Sequence, residues 1–268
     1  ELPGIAYVSC PEFLKEGSAV EDFLHPDRVV VGAAPEHAEA GDIVSALYEP
    51  LGGEIVRTDV SSAEMIKLAS NAYLATRISF IDEIANVCEE VGADVGEVAR
   101  GMGLDSRIGP HFLRPGIGYG GSCFPKDVSA LKLLAGNSGY HFQLLNSVIE
   151  VNELQKRRVV SKLSKHLGTL VGKRFALLGL ALKPETDDMR EASSLVLSAR
   201  LRGEGAEVVA YDPVAMDAAR NLLPGVELTD TVMAALDNAD AAVLVTEWPE
   251  FLDIDWIEAS SRMVHPLV

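Results

Sequence analysis

The sequence predicts an α/β protein in which a helical segment lies between two segments that contain strands. Short strand patterns occupy residues 1–60, a proline-free helical pattern covers 61–92, and buried-strand patterns return in the last third of the chain. Strands that alternate with helices form parallel, doubly wound sheets. We therefore expect part of a sheet over 1–60, an all-helical central domain over 61–160 and a C-terminal doubly wound α/β domain over 161–268.

The first 60 residues contain strand and helix patterns without the opening strands of a complete sheet. Apolar runs predict three strands, at 5–8, 28–31 and 54–57. Helical spacing predicts one helix at 38–51, and a structured loop is expected at 11–17. This order has no beginning, and the chain opens without methionine. We therefore expect it to be a piece of a longer protein.

A long helix is expected at the start of the middle segment. Ser61 followed by Glu64 is a capping-box pattern. The apolar residues form two stripes, one of Leu74, Ile78, Ile81 and Cys88, the other of Ile66, Tyr73, Phe80, Ile84 and Val87. A helix that is apolar on two sides is buried on two sides, in a core or in a subunit interface. Further helices are expected near 94–101, 125–135 and 142–166.

The last third of the chain alternates buried strands with helices. The strands are predicted at 175–179, 208–212 and 241–245, and the helices near 192–203, 214–222 and 231–237. A parallel sheet of this kind is covered by helices on both faces.

Composition and charge exclude several classes of function. Forty acidic against 23 basic side chains give a net charge of -17, which disfavours nucleic acid and anionic membranes as partners. No apolar run of about 18 residues predicts a membrane span. The three cysteines are too few and too scattered for a disulfide scaffold or a cysteine-rich metal site. A reducing cytoplasm is therefore the expected compartment, and no metal is expected.

A glycine-rich loop at 116–121 leads to a cysteine at the predicted start of a helix. Its glycines would let the backbone approach a ligand closely, and Pro125 is a favoured first helical residue. Cys123 would then lie where a helix dipole stabilises a thiolate, with Lys126 and Asp127 close in sequence. The alternative is a buried structural cysteine in a tight turn. The glycines, the helix start and the adjacent Lys126 and Asp127 favour a reactive cysteine instead.

Three other groups of polar residues are candidates for a site. Lys67 and Asn71 share one helix face that continues into an apolar stripe, so we expect both to point inward; a lysine that reaches back to solvent is the alternative. Glu12 and Glu16 flank an apolar pair in a loop. The segment 179–191 follows a strand at the sheet edge where such folds bind ligands. Its charged residues could bind phosphate or carboxylate, or could simply be solvated.

Together these stretches resemble the nucleotide-sugar dehydrogenase family, and within it the members that act on UDP-glucose. The glycine-rich Cys123 motif followed by Pro-Lys-Asp is the most specific element. The segments 64–71, 106–109, 179–191 and 211–213 agree with the family in order and spacing, and the resemblance covers nearly the whole chain. It implies a remnant of an N-terminal Rossmann sheet, a central dimerisation domain and a C-terminal Rossmann-like domain that binds the nucleotide sugar.

The resemblance also implies a reaction and its residues. The family oxidises a sugar C6 alcohol to a carboxylate with two NAD⁺, and Cys123 captures the aldehyde as a thiohemiacetal that becomes a thioester. The implied catalytic residues are Cys123, Lys67, Asn71, Asp127 and Glu16. The implied substrate-binding residues are Glu12, Phe13, Leu14, Arg107, Phe112, Gly120 and Lys183, with Arg107 supplied across a homodimer interface. The implied cofactor-binding residues are Glu16, Lys126 and Arg190.

Two segments of the family pattern are missing, and several readings stay open. The chain has neither the glycine fingerprint of the NAD-binding domain nor a segment beyond 263–268, which resembles the family's final strand. We therefore expect this chain alone to be inactive. The open alternatives are oxidation of another nucleotide sugar, GDP-mannose or UDP-N-acetylmannosamine; a hydroxyacid or 6-phosphogluconate dehydrogenase, whose chemistry needs no cysteine; and a non-catalytic nucleotide-sugar-binding and dimerisation module.

Overall fold

The structure, a computed structural model, describes residues 4–268 and places them in two units, Glu1–Tyr73 and Leu74–Val268. Residues 1–3, at which the predicted partial sheet opens, lie outside the described residues. Strands at both ends of the chain and helices between them confirm the predicted α/β class. In the described part of the chain, no helix is long and apolar enough to cross a membrane.

The first unit contains a three-stranded sheet. Its strands are β1 (Val8–Ser9), β2 (Arg28–Ala33) and β3 (Glu54–Thr58), and its short helices are α1 (Ala19–Leu24) and α2 (Ala38–Tyr48). The strand β2 is central, antiparallel to β1 and parallel to β3. Parallel neighbours need a crossover connection, which α2 supplies here. The first strand is shorter than predicted and begins only at Val8. Ile5 and Tyr7, which precede it, are exposed, and the Tyr7 hydroxyl donates to Glu64.

The long helix α3 (Val60–Val91) begins one residue before its predicted capping box. Asp59 caps it: the Asp59 carboxylate accepts hydrogen bonds from the Ser62 backbone N–H at 2.9 Å and from the Ser62 hydroxyl at 2.6 Å. These bonds to the charged form lower the pKa of Asp59. The capping role that the sequence assigned to Ser61 was therefore wrong, and Glu64 bonds Tyr7 instead.

The two apolar stripes of α3 have different environments. Ile81 and Cys88 are buried, as predicted for the first stripe. In the second stripe, Tyr73 is exposed, and Phe80 and Val87 are 49% and 57% exposed. The prediction of a buried helix therefore holds within this chain for one stripe only, and the other presents apolar side chains to its surroundings.

Three further helices of the second unit agree with the sequence pattern. They are α4 (Val95–Gly103), α5 (Phe124–Asn137) and α6 (Gln143–Leu167). The helix α5 begins at Phe124, so Pro125 is its second residue rather than the predicted first. Both positions tolerate proline, since the first N–H groups of a helix have no partner within the helix.

The C-terminal sheet is parallel and is covered on both faces, as predicted. Its strands are β4 (Arg174–Leu178), β5 (Glu207–Tyr211), β6 (Glu227–Leu228) and β7 (Ala241–Leu244), in the order β6-β5-β4-β7. The flanking helices are α7 (Ser193–Gly203), α8 (Met216–Leu222), α9 (Val232–Leu236) and α10 (Trp256–Arg262). Phe175 and Leu177 of β4 pack in the same core as residues of α7 and α8, and Leu178 packs with residues of α9 and α10.

The predicted final strand at 263–268 is absent from the structure, and this prediction was wrong. Single backbone hydrogen bonds link this segment to the sheet domain, from the Val264 N–H to the Ala239 carbonyl and from the Ala242 N–H to the Leu267 carbonyl. Pro266 has no N–H to donate, and the Leu267 N–H is used in a local bond to the His265 carbonyl. A continuous ladder therefore cannot form along this segment.

Candidate active-site residues in two units

An ion pair forms between Lys67 and Glu12 in the first unit. Lys67 Nζ lies 3.0 Å from Glu12 Oε1, and the Lys67 side chain is 16% exposed. The Lys67 ammonium also lies 5.4 Å from the centre of the Phe13 ring, while the Arg28 guanidinium lies 3.8 Å from that centre. Lys67 therefore does not reach back to solvent: its charge is partly buried and is paired with a carboxylate, which reduces the cost of that burial.

The loop that carries Glu12 is fixed by its own carboxylate. Glu12 Oε2 accepts a 2.6 Å hydrogen bond from the Leu14 N–H, which closes the turn around Phe13. Asn71, one helical turn after Lys67, is buried as predicted. Glu16 is half-buried. The residues Glu12, Phe13 and Leu14 line a cavity of about 190 Å³ within this unit.

In the second unit, Cys123 is the residue that precedes the first turn of α5. It is half-buried, and its Sγ lies 3.7 Å from the Ser122 hydroxyl. The Asp127 N–H donates to the Cys123 carbonyl at 2.9 Å, and the buried Asp127 carboxylate lies 3.3 Å from Lys126 Nζ. The structure thus brings the predicted nucleophile, acid and lysine together at one helix N-terminus.

Two glycines of the loop are required by the protein's own packing. A Cβ on Gly118 would lie 2.6 Å from Asn152 Oδ1, and a Cβ on Gly120 would overlap the Glu191 carbonyl oxygen. The sequence suggested that these glycines let a ligand approach the backbone. At these two positions, the neighbours that exclude a side chain are Asn152 of α6 and Glu191, which lies in the segment between β4 and α7.

Aromatic side chains surround the start of α5. The ring of Phe124 makes edge contacts with Phe112 at 6.2 Å and with Tyr119 at 5.9 Å between centroids. Phe112 adopts a φ of 59°, a conformation that non-glycine residues rarely adopt. Burial raises the pKa of Tyr119 to about 12, with a contribution from the nearby Glu153 carboxylate. The phenol therefore stays protonated at neutral pH.

A cleft of about 660 Å³ lies beside the Cys123 loop in the same unit. Two of the predicted cofactor-binding residues, Lys126 and Arg190, line it, together with Tyr119 and Ser122. The Arg190 guanidinium binds the Asp188 carboxylate at 2.7 Å. Lys183, on the same segment between β4 and α7, is half-buried.

Arg107 lies on an exposed turn after α4. Its side chain is 87% exposed, and its guanidinium binds the Asp105 carboxylate at 2.6 Å; this hydrogen bond lowers the pKa of Asp105. Arg77 of α3 donates to the Ile108 and Gly109 carbonyls at 2.7 and 2.8 Å. The turn is thus tied to α3 while Arg107 points outward.

The predicted site residues fall into two groups, one in each unit. The first unit contains Glu12, Phe13, Leu14, Glu16, Lys67 and Asn71, and the second contains Arg107, Phe112, Gly120, Cys123, Lys126, Asp127, Lys183 and Arg190. Between residues 4 and 268, no cluster of histidine, cysteine and carboxylate side chains could hold a metal ion.

Sequence reasoning missed three buried polar side chains that bind the glycine-rich loop. Asp82 lies on α3, and Asn152 and Gln155 lie on α6. The available signal was a polar residue on the buried face of an otherwise apolar helix pattern, because such a residue is costly to bury unless it has a partner. The sequence does not identify that partner.

Models of three domains from one protein family match the chain. The UDP-glucose/GDP-mannose dehydrogenase family's NAD binding domain matches residues 4–52, its central domain matches 61–154, and its UDP binding domain matches 176–268.

The relatives and solved structures to which the chain is similar are nucleotide-sugar dehydrogenases by name. The chain is 49% identical to the UDP-glucose 6-dehydrogenase YwqF of Bacillus subtilis, over 100% of its own length and 61% of that protein. A UDP-glucose dehydrogenase structure from Pyrobaculum islandicum matches with a TM-score of 0.91 and 35% identity, over 97% of this chain and 62% of that one. A UDP-D-ManNAc dehydrogenase structure from Pyrococcus horikoshii matches with a TM-score of 0.82 and 28% identity, over 96% and 59%. The chain thus spans about three fifths of the length of these proteins.

Proposed function

Because the chain belongs to the UDP-glucose/GDP-mannose dehydrogenase family, we propose that the whole protein oxidises UDP-glucose to UDP-glucuronate. The reaction removes four electrons from C6 and consumes two NAD⁺ and one water. The position of Cys123 at the N-terminus of α5, half-buried and next to Asp127 and Lys126, is the observation that carries this proposal.

Cys123 makes the second oxidation possible. Loss of a hydride and a proton from the C6 alcohol gives an aldehyde, and addition of the Cys123 thiolate to that aldehyde gives a thiohemiacetal. Loss of a second hydride leaves a thioester, and attack by water releases the carboxylate and restores the thiol. Because the carbon stays bonded to sulfur between the two oxidations, the aldehyde is not released.

Other residues supply charge and orientation. Lys67 and Asn71 stabilise the negative charge that develops on the C6 oxygen, and the Glu12 carboxylate holds the Lys67 ammonium in place. Asp127 orients the attacking water, and Glu16 assists hydrolysis of the thioester. The sugar and its phosphates contact Glu12, Phe13, Leu14, Arg107, Phe112, Gly120 and Lys183.

The chain supplies part of a site for NAD⁺, which accepts the hydride. Lys126 and Arg190 line one cleft and fit as contacts to the cofactor phosphates, and Glu16 completes the proposed set. In the described part of the chain, however, no strand leads into a G-x-G-x-x-G turn, which is the usual cradle for the pyrophosphate. These residues therefore supplement a cofactor site and do not build one alone.

Capture of the aldehyde tests the proposal on this chain without NAD⁺. The C6 aldehyde of UDP-glucose is expected to slow alkylation of Cys123 by iodoacetamide, as read by peptide mass spectrometry. UDP-glucose, which has the same nucleotide but no aldehyde, is the matched control. Equal protection by the two ligands, or protection by neither, would contradict the proposed role of Cys123.

A different nucleotide sugar is the main alternative, supported by the similarity to a UDP-D-ManNAc dehydrogenase structure. GDP-mannose and UDP-N-acetylmannosamine would use the same cysteine chemistry. A panel of these sugars and UDP-glucose, assayed by NADH formation with the whole protein, distinguishes them. Binding of UDP without any oxidation by the whole protein would instead favour a non-catalytic binding and dimerisation module.

We also propose that the protein is a cytoplasmic homodimer. The exposed apolar side chains of Phe80 and Val87, seven residues apart on α3, form a strip suited to a second copy. The outward direction of Arg107 supports a role in the partner's sugar site.

A further inference from the structure

Three buried side chains bind the backbone of the glycine-rich loop at two of its residues. Asp82 Oδ1 accepts a 2.8 Å hydrogen bond from the Gly116 N–H, and Gln155 Nε2 donates to the Gly116 carbonyl at 2.8 Å. Asn152 Oδ1 accepts from the Tyr119 N–H at 2.7 Å, and its Nδ2 donates to the Tyr119 carbonyl at 3.1 Å. Each bonded loop residue thus has both of its backbone polar groups occupied from α3 or α6.

The loop is also tied to the first residue of α7 and to the segment before that helix. The Ser193 hydroxyl donates to the Ile117 carbonyl at 3.1 Å, and the Gly121 N–H donates to the Arg190 carbonyl at 2.9 Å. Gly118 packs so closely on Asn152 that a Cβ has no room. The chain then needs only two more residues to reach Cys123, so the fixed backbone determines where the thiol lies.

The burial of these groups is costly, which indicates a specific role. Asp82 is fully buried, and its second oxygen, Oδ2, has no hydrogen-bond partner in the described part of the chain. Burial raises the pKa of the Asp82 carboxyl, and the hydrogen bond from the Gly116 N–H opposes this shift. An apolar side chain would avoid this cost. Gln155 is itself held by a 3.0 Å hydrogen bond from Asn86 Nδ2 of α3 to its Oε1, so the two helices bind the loop as one network.

We propose that Asp82, Asn152 and Gln155 are positioning residues that fix the glycine-rich loop and, through it, the Cys123 thiol. None of them needs to touch substrate: they act on the backbone that leads to the sulfur. That these three residues aid catalysis rests on the function proposed for Cys123. That they hold the loop in place does not depend on that function.

Alkylation of Cys123 and hydrogen exchange of the loop test this proposal on the chain as it is. Asp82→Ala removes the acceptor for Gly116, and Asn152→Asp removes the donor to Tyr119 while keeping the acceptor. Loss of one buried hydrogen bond makes local opening about tenfold more frequent. We expect amide exchange in the peptide 116–123 to rise by about that factor and alkylation of the half-buried Cys123 to accelerate with it.

Two further variants distinguish positioning from general destabilisation. Asp82→Asn keeps an acceptor for Gly116 and should restore slow exchange and slow alkylation relative to Asp82→Ala. Glu83→Gln changes an exposed carboxylate on the same helix and should leave both rates unchanged. If the alanine variant does not fold, Asn152→Asp and Asp82→Asn still provide the comparison.

The results separate this proposal from the proposed function. Loop exchange and Cys123 alkylation at wild-type rates in Asp82→Ala and Asn152→Asp would overturn it, whatever happens to global stability. Alkylation uses no nucleotide sugar and no cofactor. Faster alkylation in these variants would therefore support positioning even if the whole protein oxidised no sugar.

Discussion

Lys67 Nζ and Glu12 Oε1 lie 3.0 Å apart, although the two residues are separated by 55 positions in the chain. The pair links the start of α3 to the loop after β1 and brings together two residues that the sequence assigned to different roles. Because the Lys67 side chain is mostly buried and the Glu12 side chain is half-exposed, the carboxylate is the more accessible partner to change.

Glu12→Gln should impair activity more than stability. A half-exposed ion pair contributes up to about 1 kcal/mol to the free energy of unfolding, so urea unfolding should change by no more than that. In the whole protein, loss of the charge that orients Lys67 should lower kcat/KM for UDP-glucose by about tenfold or more, roughly 1.4 kcal/mol of transition-state stabilisation.

Asp42→Asn is the matched control for this change. It breaks another ion pair in the same unit, between Asp42 and Arg57 at 2.6 Å, neither of which is a proposed site residue. It should have a similar small effect on unfolding and none on kcat/KM. Equal losses of activity in the two variants would argue against a specific role for the Lys67–Glu12 pair.

Cys123→Ser should stop the reaction of the whole protein at the aldehyde. The serine hydroxyl is a much weaker nucleophile than a thiolate at neutral pH, so the thioester cannot form efficiently. Aldehyde trapped by a hydrazine should accumulate, while UDP-glucuronate formation falls by at least about a thousandfold. Cys88→Ala, a change at a buried cysteine of α3, should retain the full oxidation. An unaffected rate in Cys123→Ser would favour the hydroxyacid class of dehydrogenase.

Phe80→Glu should weaken the proposed dimer. Phe80 is 49% exposed on the apolar strip of α3, and a carboxylate there would be desolvated in an interface between two copies. Light scattering should show a dimer for the wild-type chain and a monomer for the variant. Leu252→Glu changes a residue that is still more exposed, in the turn Pro249–Asp253, and should leave the dimer intact. A monomeric wild-type chain would remove this proposal.

The helices and buried strands could be predicted from the sequence because they depend on local patterns. The absence of proline and the spacing of apolar residues placed α3 to within one residue at each end. The cap was harder, since Asp59 and Ser61 are both good capping residues and only the position of the Ser62 N–H decides between them. The final strand failed because a single Pro266 removes a donor that the pattern of apolar residues does not reveal.

The sequence indicates which residues of the candidate site could carry out chemistry. It does not indicate which residues hold them in place. Lys126 and Asp127, which are proposed to act with Cys123, are its neighbours in sequence, so the motif alone reveals them. The contact between Asp82 and Gly116 joins positions 34 apart, and the need for glycine at 118 depends on Asn152 of another helix. No local pattern contains such information, because it arises from how the helices pack.

The 268-residue chain should bind UDP and form no NADH. Residues 176–268 match the family's UDP binding domain, while no strand in the described part of the chain leads into a dinucleotide-binding glycine turn. Calorimetry should detect binding of UDP. Uridine should bind at least about tenfold more weakly, because it offers no phosphate to cationic side chains. Stoichiometric NADH from UDP-glucose and NAD⁺ would contradict the second half of this prediction.

Asp82 should make the stability of the chain depend on pH. Burial raises its pKa from 3.8 to about 7, and the Gly116 N–H only partly opposes this shift. Between these two pKa values the unfolded chain loses the proton and the folded chain keeps it. The stabilising effect of the protonated carboxyl is therefore complete below about pH 4 and is lost as the pH rises to about 7. It amounts to about 4 kcal/mol.

Asp82→Asn isolates this effect, because asparagine resembles the neutral carboxyl at every pH. Other groups titrate in both proteins, so the quantity to measure is the difference in unfolding free energy between variant and wild type, by urea denaturation from pH 4 to pH 8. Relative to the wild type, the variant should become more stable as the pH rises, and the difference should level off above about pH 7. Glu83→Gln, at the exposed neighbouring position, is the matched control and is measured over the same pH range. A flat difference for Asp82→Asn would show that the carboxylate is solvated in the folded chain.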